Sequence, residues 1–335
     1  MTAAARELTG LLTDPARAGE VADWTALVSA ARAESLAGTL AWRLAGVPLP
    51  REVERLMEDA RRASETVRVE ALWEAEMARR ALAPLGVPVV LLKGTAYAAA
   101  GLPAAEGRSI GDLDILVPAR SLPEVERALL AAGWEWVKED AYDDLYYRRW
   151  MHELPPLIHR ARDRMIDVHH TILPLTARPK PDAEAMIADS AALGNGLRAL
   201  APADMVVHAS AHLIADGDLA GGLRNLWDID RLLRHFAGAD AGFWAELQAR
   251  AGHHRLWRAV HRAARLANDL YATPIPESWR IWDSADPLFR ARMLARDGWG
   301  RQTARGLRFG FYVRSHLLRM PPLMLARHLL AKARR

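Results

Sequence analysis

The chain has 335 residues, of which 51% are hydrophobic and 26% charged, a globular balance that argues against a disordered polypeptide. It has no cysteine, which excludes disulfides, thiolate catalysis, iron–sulfur clusters and cysteine-based zinc sites. The net charge of +4 is uneven: residues 290–335 hold eleven Arg and one Lys against a single acid, Asp297, so an acidic body carries a basic tail.

The opening residues, Met1-Thr2-Ala3-Ala4-Ala5-Arg6-Glu7, lack a basic segment followed by an apolar one, so no secretory leader is expected. No apolar run nears the roughly 20 residues of a membrane-spanning helix, and a cytoplasmic location is the expectation. Asp14-Pro15 reads as a helix cap with proline at the first helical position. Apolar residues at helical spacing then predict one helix over Trp24–Leu44, ending near Gly46. Pro50 opens a long helix to about Leu85, closed by Gly86 and Pro88.

The period then changes. Val87–Leu92 is a short, almost wholly apolar run and reads as a buried strand. Lys93-Gly94-Thr95 follows and leads into a small-residue helix over Ala96–Ala100. Leu102–Ser109 reads as a loop, Asp112–Val117 as a second strand, Pro123–Ala132 as a helix ended by Gly133, and Trp134–Val137 as a further strand. Leu145–Arg149 and Leu154–His159 both look extended, and the second forms a hairpin with Met165–His170. Beyond Pro181 the pattern predicts helices over Asp182–Ala192, Pro202–Asp216, Leu219–Phe236, Ala241–Ala251 and Arg255–Tyr271, with a helical tail after Pro287 broken at Pro321-Pro322. The expected organisation is an N-terminal helical region (1–85), an α/β core (86–180), a helical domain (181–285) and a basic helical tail (286–335).

Three pieces of the core carry chemistry. Strand side chains alternate, so Asp112 and Asp114 project from one side while Leu113, Ile115 and Val117 project from the other. Two adjacent like charges on a core strand raise each other's cost of ionisation, and a divalent cation between them relieves it. The bland alternative is a pair of solvated acids on an edge strand. Next, the strand-to-helix turn Lys93-Gly94-Thr95 offers backbone N–H groups, a Thr hydroxyl and a Lys charge to a phosphate, though it is not a Walker A loop. Last, Asp167 sits between apolar neighbours in Met165-Ile166-Asp167-Val168-His169 and shares a face with Met165 and His169. A third carboxylate there would complete a two-metal site and could orient or deprotonate an attacking hydroxyl.

Leu92-Lys93-Gly94, then Arg108 ahead of Gly111-Asp112-Leu113-Asp114-Ile115-Leu116-Val117, then Ile166-Asp167-Val168-His169, resembles the nucleotidyltransferase superfamily of DNA polymerase β type. More closely it is similar to the bacterial uncharacterised nucleotidyltransferase family, whose later helical part holds a segment like Leu223-Arg224-Asn225-Leu226-Trp227-Asp228-Ile229. The resemblance implies an α+β fold: a mixed β-sheet core with helices, flanked by N-terminal helices and a C-terminal helical region. It implies catalytic and metal-binding roles for Asp112, Asp114 and Asp167, and nucleotide contacts from Gly94 and Thr95. Lys93, by its charge, and Arg108, by its charge and its place in the long interval before Asp112, are added to the nucleotide-binding set. Two Mg²⁺ ions, with Mn²⁺ as a substitute, and an NTP, ATP being the expected one, follow from the same likeness. The acceptor stays open among small molecule, peptide, protein and saccharide. The alternative is a catalytically silent scaffold or binding module of the same fold.

Other residues have two readings. His169 either positions an acceptor or is a hydrogen-bonded strand residue. Arg224 and Asp228 at i, i+4 form a helix surface pair unless the family likeness places Arg224 at the cleft. His208 and His212 have zinc-compatible spacing but no third ligand or following base, and read as structural histidines. The basic tail is either a solvated helical face or a contact for an acidic partner or a membrane surface, and no nucleic-acid-binding module is recognisable.

Overall fold

The computed structural model describes residues 3–138, 140–320 and 325. The expected break at Pro321-Pro322 and the last basic residues, Arg327, Lys332, Arg334 and Arg335, lie outside these.

The N-terminal region is helical: α1 (Ala3–Thr13), α2 (Trp24–Ala33), α3 (Ala37–Arg43) and α4 (Arg51–Leu82). Asp14 caps a short 3₁₀ turn by accepting from the Ala16 N–H. The single helix expected over 24–44 is two, because Ser35 takes a left-handed φ of +56°. The break has a use. It turns the buried Glu34 carboxylate toward Arg296, which donates from Nε at 2.7 Å, and toward the Leu223 N–H at 3.0 Å. The 32-residue α4 places acids Glu52 and Glu54 in its first turn and Arg79 and Arg80 in its last, matching the helix dipole. It runs on into a 3₁₀ turn, Ala83–Leu85, that stops where Gly86 adopts φ +62°.

The core is a mixed seven-stranded sheet ordered β3-β4-β5-β2-β1-β7-β6. Its strands are β1 (Val90–Leu91), β2 (Leu113–Leu116), β3 (Trp134–Trp136), β4 (Leu157–His159), β5 (Met165–His169), β6 (Ala191–Ala192) and β7 (Arg198–Ala199). Antiparallel β1–β2 and β4–β5 pairs flank a central parallel β2–β5 pair. This is the α+β arrangement that the sequence implies. Helices α5 (Lys93–Ala99) and α6 (Leu122–Ala131) connect the early strands, and α4 packs on both and on β2.

Three further stretches differ from expectation; one is the tail, whose helix is interrupted between Met293 and Arg305, where Arg296 and Gln302 form an isolated bridge. Leu145–Arg149 is not extended but lies within α7 (Ala141–Trp150). Asp140 caps it by accepting from the Tyr142 and Asp143 N–H groups, both at 3.0 Å, and Arg148 pairs with Asp144 one turn earlier. Asp182–Ala192 is helical only as α8 (Ala183–Ala188); the chain then turns through Gly194 and Gly196, both at positive φ, into the β6–β7 hairpin. Asn195 Oδ1 accepts from the Leu197 N–H within that turn, and β7 adds to the sheet parallel to β1.

The remaining helices are α9 (Pro202–Ser210), α10 (Gly222–Ala239), α11 (Phe243–His253), α12 (Trp257–Tyr271), α13 (Asp286–Met293) and α14 (Arg305–Arg319). Helix α9 passes without a break into a π-helical turn, Ala211–Asp216, a geometry often found beside functional sites. Helix α10 is buried on most of its surface, with Trp227 edge-on to Tyr271 at 5.1 Å and the Tyr271 hydroxyl donating to the Leu223 carbonyl at 2.9 Å. Among the described residues no helix is long and apolar enough to cross a membrane.

Candidate active site

Strands β2 and β5 pair in parallel with Asp114 opposite Asp167 and Leu116 opposite His169. Residues opposite each other in a sheet project from the same face, and so do residues two apart on one strand. Asp112, Asp114, Asp167 and His169 therefore share one face. Ile115 and Val168 share the other, where both are buried in the core. One carboxylate oxygen from each of Asp112, Asp114 and Asp167 lies within 4.8 Å of the others. Asp112 is exposed at the rim, Asp114 is buried, and Asp167 lies between these extremes.

Lys93 holds the buried end. It opens α5 with a left-handed φ of +49°, an uncommon conformation for a residue with a Cβ and one that concentrates at functional sites. Its Nζ donates to Asp114 Oδ1 at 2.6 Å, and His169 Nε2 lies 3.0 Å from the same oxygen. Burial pushes the Asp114 carboxyl up, but the Lys93 ammonium and the His169 contact outweigh it and hold the group well below the usual carboxylate range. Burial also pulls Lys93 down, and the neighbouring carboxylates, Asp114 foremost, more than reverse it. Asp167 moves the other way. Burial and the charges of Glu153 and Asp114 push it up to about 7, and its Oδ1 is buried with no hydrogen-bond partner among the described residues. An all-oxygen set with one buried, unsatisfied oxygen fits a hard divalent cation such as Mg²⁺.

Gly94 and Thr95 are buried in the first turn of α5, and the Leu92 N–H just before them donates to the Asp114 carbonyl at 3.0 Å, tying the turn to β2. Glycine leaves room for Arg108 at 94: a Cβ there would stand 2.0 Å from Arg108 Nη1 and 3.1 Å from Ile110 Cγ1, so the guanidinium would have to shift. Arg108 lies across this glycine, and its Nε donates to Asp228 Oδ2 at 2.9 Å. Arg224 donates to the other oxygen of Asp228 at 2.6 Å and also reaches the Thr39 hydroxyl on α3. Arg224 and Asp228, which spacing alone makes a surface pair, are buried, with side chains 6% and 4% exposed. This Arg108–Asp228–Arg224–Thr39 chain braces the turn from behind and links α10 and α3 to it.

A cleft of about 230 Å³ opens on the carboxylate face, bordered by Lys93, Asp167 and His169 and by His152, Glu153, His208 and His212. Burial and the nearby Lys93 charge depress His208 well below the usual imidazole range and His212 to about 3, so both are neutral. Asp204, on the same helix as His208, is engaged elsewhere with Arg250 and His254. The sequence gives no reason to single out His152 and Glu153. They reach the cleft because Glu153 forms an antiparallel bridge with His169, a long-range pairing with no local signature. A larger groove of about 820 Å³ between α4 and the α5–β2 connection is lined by Trp42, Arg61, Arg68 and Leu102. Neither grouping of possible metal ligands among the described residues includes a residue lining that groove, whereas Asp167, His152, Glu153 and His169 line the smaller cleft.

The model of a family described as "Uncharacterised nucleotidyltransferase" matches residues 20–272, which include every residue of this site. No curated protein matches the chain.

Proposed function

The chain belongs to this uncharacterised nucleotidyltransferase family, and from that premise we propose that it transfers a nucleoside monophosphate from an NTP, ATP being the expected donor, to an acceptor hydroxyl. The observation that carries the reading is the parallel register that gathers Asp112, Asp114 and Asp167 on one face, with their oxygens within 4.8 Å.

Divalent cations, Mg²⁺ or in its place Mn²⁺, held by these three carboxylates, would neutralise charge on the α-phosphate and on the departing pyrophosphate. The protein's own part is placement and electrostatics. The triphosphate lies along the Gly94–Thr95 turn, and Lys93 supplies a cation at its base. Arg108, pressed against Gly94 and fixed by Asp228, keeps the turn in shape and adds positive charge beneath it. Arg224 acts one step further back, as the second partner of Asp228.

Without a cation Asp167 is pushed up to about 7; a cation beside it lowers that and leaves the carboxylate ionised, placed to orient the acceptor hydroxyl and take its proton. The acceptor oxygen bonds to the α-phosphorus, the bond between the α-phosphorus and its bridging oxygen breaks, and pyrophosphate leaves. His169 holds Asp114 in place through its Nε2 contact.

Calorimetry of the full chain with ATP tests the reading. Binding should require Mg²⁺ and be lost in an Asp112→Ala, Asp114→Ala double variant. A wild-type chain that binds no NTP with Mg²⁺ present would favour the silent scaffold instead.

A further inference from the structure

We propose that His152, Glu153 and His169 form a second cation site beside the carboxylate trio, and that it takes Zn²⁺ rather than Mg²⁺. The site stands on geometry separate from the nucleotidyl-transfer reading and goes beyond it.

The backbone assembles the three residues. Glu153 and His169 form an antiparallel bridge, the His170 N–H donates to the His152 carbonyl at 2.9 Å, and the Leu154 N–H donates to the Val168 carbonyl at 2.9 Å. Residues 152–154 are thereby strapped along the end of β5. One possible ligand atom from each of His152, Glu153 and His169 lies within 4.8 Å of the others.

The spacing is that of co-ligands rather than hydrogen-bond partners. Glu153 Oε2 is 3.5 Å from His169 Nδ1 and 3.7 Å from His152 Nε2, separations at which a hydrogen bond is weak or absent. Ligand atoms around a tetrahedral zinc, with bonds of about 2.0–2.1 Å, stand roughly 3.3 Å apart. The two separations are within about 0.4 Å of that value.

His169 supplies the second observation. Its Nε2 is committed to the Asp114 carboxylate at 3.0 Å, while its buried Nδ1 has no hydrogen-bond partner among the described residues. Asp114 is an acceptor, so Nε2 carries a proton and Nδ1 is the nitrogen left facing Glu153, where a cation would take the place of any proton on it. A carboxylate holding one imidazole nitrogen while the other meets a metal is the usual support for a zinc-ligating histidine. The buried His152 Nδ1 also lacks a partner among the described residues, so His152 can present a nitrogen by rotating its ring.

The donor set decides the ion. Two imidazoles and one carboxylate suit a borderline cation, whereas the neighbouring all-oxygen trio suits Mg²⁺. The adjoining cleft leaves a fourth position for water or substrate. Because His169 touches Asp114, an ion here would also fix the orientation of the carboxylate that serves the first site.

The test is Zn²⁺ binding to metal-stripped full-length protein, followed by competition with a chromophoric chelator in a large excess of Mg²⁺ that keeps the carboxylate trio loaded. The proposal expects one Zn²⁺ per chain and a loss of affinity of at least about tenfold in His152→Gln and in Glu153→Gln, with Asp112→Asn unchanged. Co²⁺ in place of Zn²⁺ should give a visible absorption band that His152→Gln abolishes. Glu153→Gln keeps the side-chain shape and guards against a folding artefact, checked by circular dichroism. No Zn²⁺ uptake under excess Mg²⁺, or uptake lost in Asp112→Asn but kept in His152→Gln and Glu153→Gln, would overturn the proposal. These outcomes are independent of whether the chain transfers nucleotides.

Discussion

Asp114 and Asp167 stand opposite each other on parallel strands, yet their environments drive them apart: Asp114 well below the carboxylate range, Asp167 up to about 7. The cause is asymmetric counter-charge. Lys93 and His169 both contact Asp114, while the buried Oδ1 of Asp167 has no hydrogen-bond partner among the described residues. Without a cation one carboxyl is therefore a permanent anion, while the other holds its proton up to about neutral pH until a cation takes the proton's place.

The raised Asp167 value fixes a sign for metal and pH dependence. The folded chain holds this proton more tightly than the unfolded chain, whose carboxyl titrates near 3.8. Its contribution to stability therefore falls as pH rises between about 4 and about 7 and stays unfavourable above that window. In chelator, Asp167→Asn should melt a few degrees above wild type at about pH 8 and lose that advantage at about pH 4. Saturating Mg²⁺ should stabilise wild type more at the higher pH. Thermal melts across pH check this; an Asp167→Asn protein less stable than wild type at about pH 8 without metal contradicts it.

Lys93 competes with a cation for Asp114 Oδ1, to which it donates at 2.6 Å. Lys93→Met should raise Mg²⁺ affinity in the absence of nucleotide, by about tenfold, because the cation no longer displaces an ammonium. The same change should lower turnover with NTP by about a hundredfold if Lys93 serves the triphosphate as proposed. Metal titration and kcat, measured on one preparation, should move in opposite directions.

Gly94→Ala places a methyl group on the half-buried Arg108 guanidinium, whose Nε is tied to Asp228 and Nη1 to the Ser109 carbonyl, so relieving the clash shifts both contacts. A loss of about 1–3 kcal/mol in urea unfolding is expected. The loss should shrink in an Arg108→Ala background, where the two nearest contacts are gone and the 3.1 Å contact with Ile110 stays. Equal losses in both backgrounds would show that Arg108 is not what glycine accommodates.

Local pattern made the acids legible and long-range pairing did not. Alternation along one strand puts Asp112 and Asp114 on a shared face, and apolar neighbours mark Asp167 as a strand residue. That β5 lies beside β2, and not elsewhere in the sheet, depends on contacts across some fifty residues that no local period encodes. Arg224 and Asp228 look like a surface pair by spacing, but Arg108 arrives from a distant loop and buries them. Leu145–Arg149 reads as extended, yet the Asp140 cap and the acidic first turn and basic last turn make 141–150 a helix. Around 191–199, alanine's helix preference hides a hairpin that Asn195-Gly196 signals. His152 and Glu153 carry no local signature, and only their bridge to β5 brings them to the cleft.

The most direct measurement of the central claim is transfer of label from ATP radiolabelled at the α-phosphate, with Mg²⁺ and an extract supplying acceptors. Wild type should label an acceptor and release pyrophosphate in equal amount, with both lost on chelation of the metal and in the Asp112→Ala, Asp114→Ala double variant. Wild type that binds Mg²⁺–ATP but neither labels an acceptor nor releases pyrophosphate with any NTP, or label that persists in the double variant, would contradict the account.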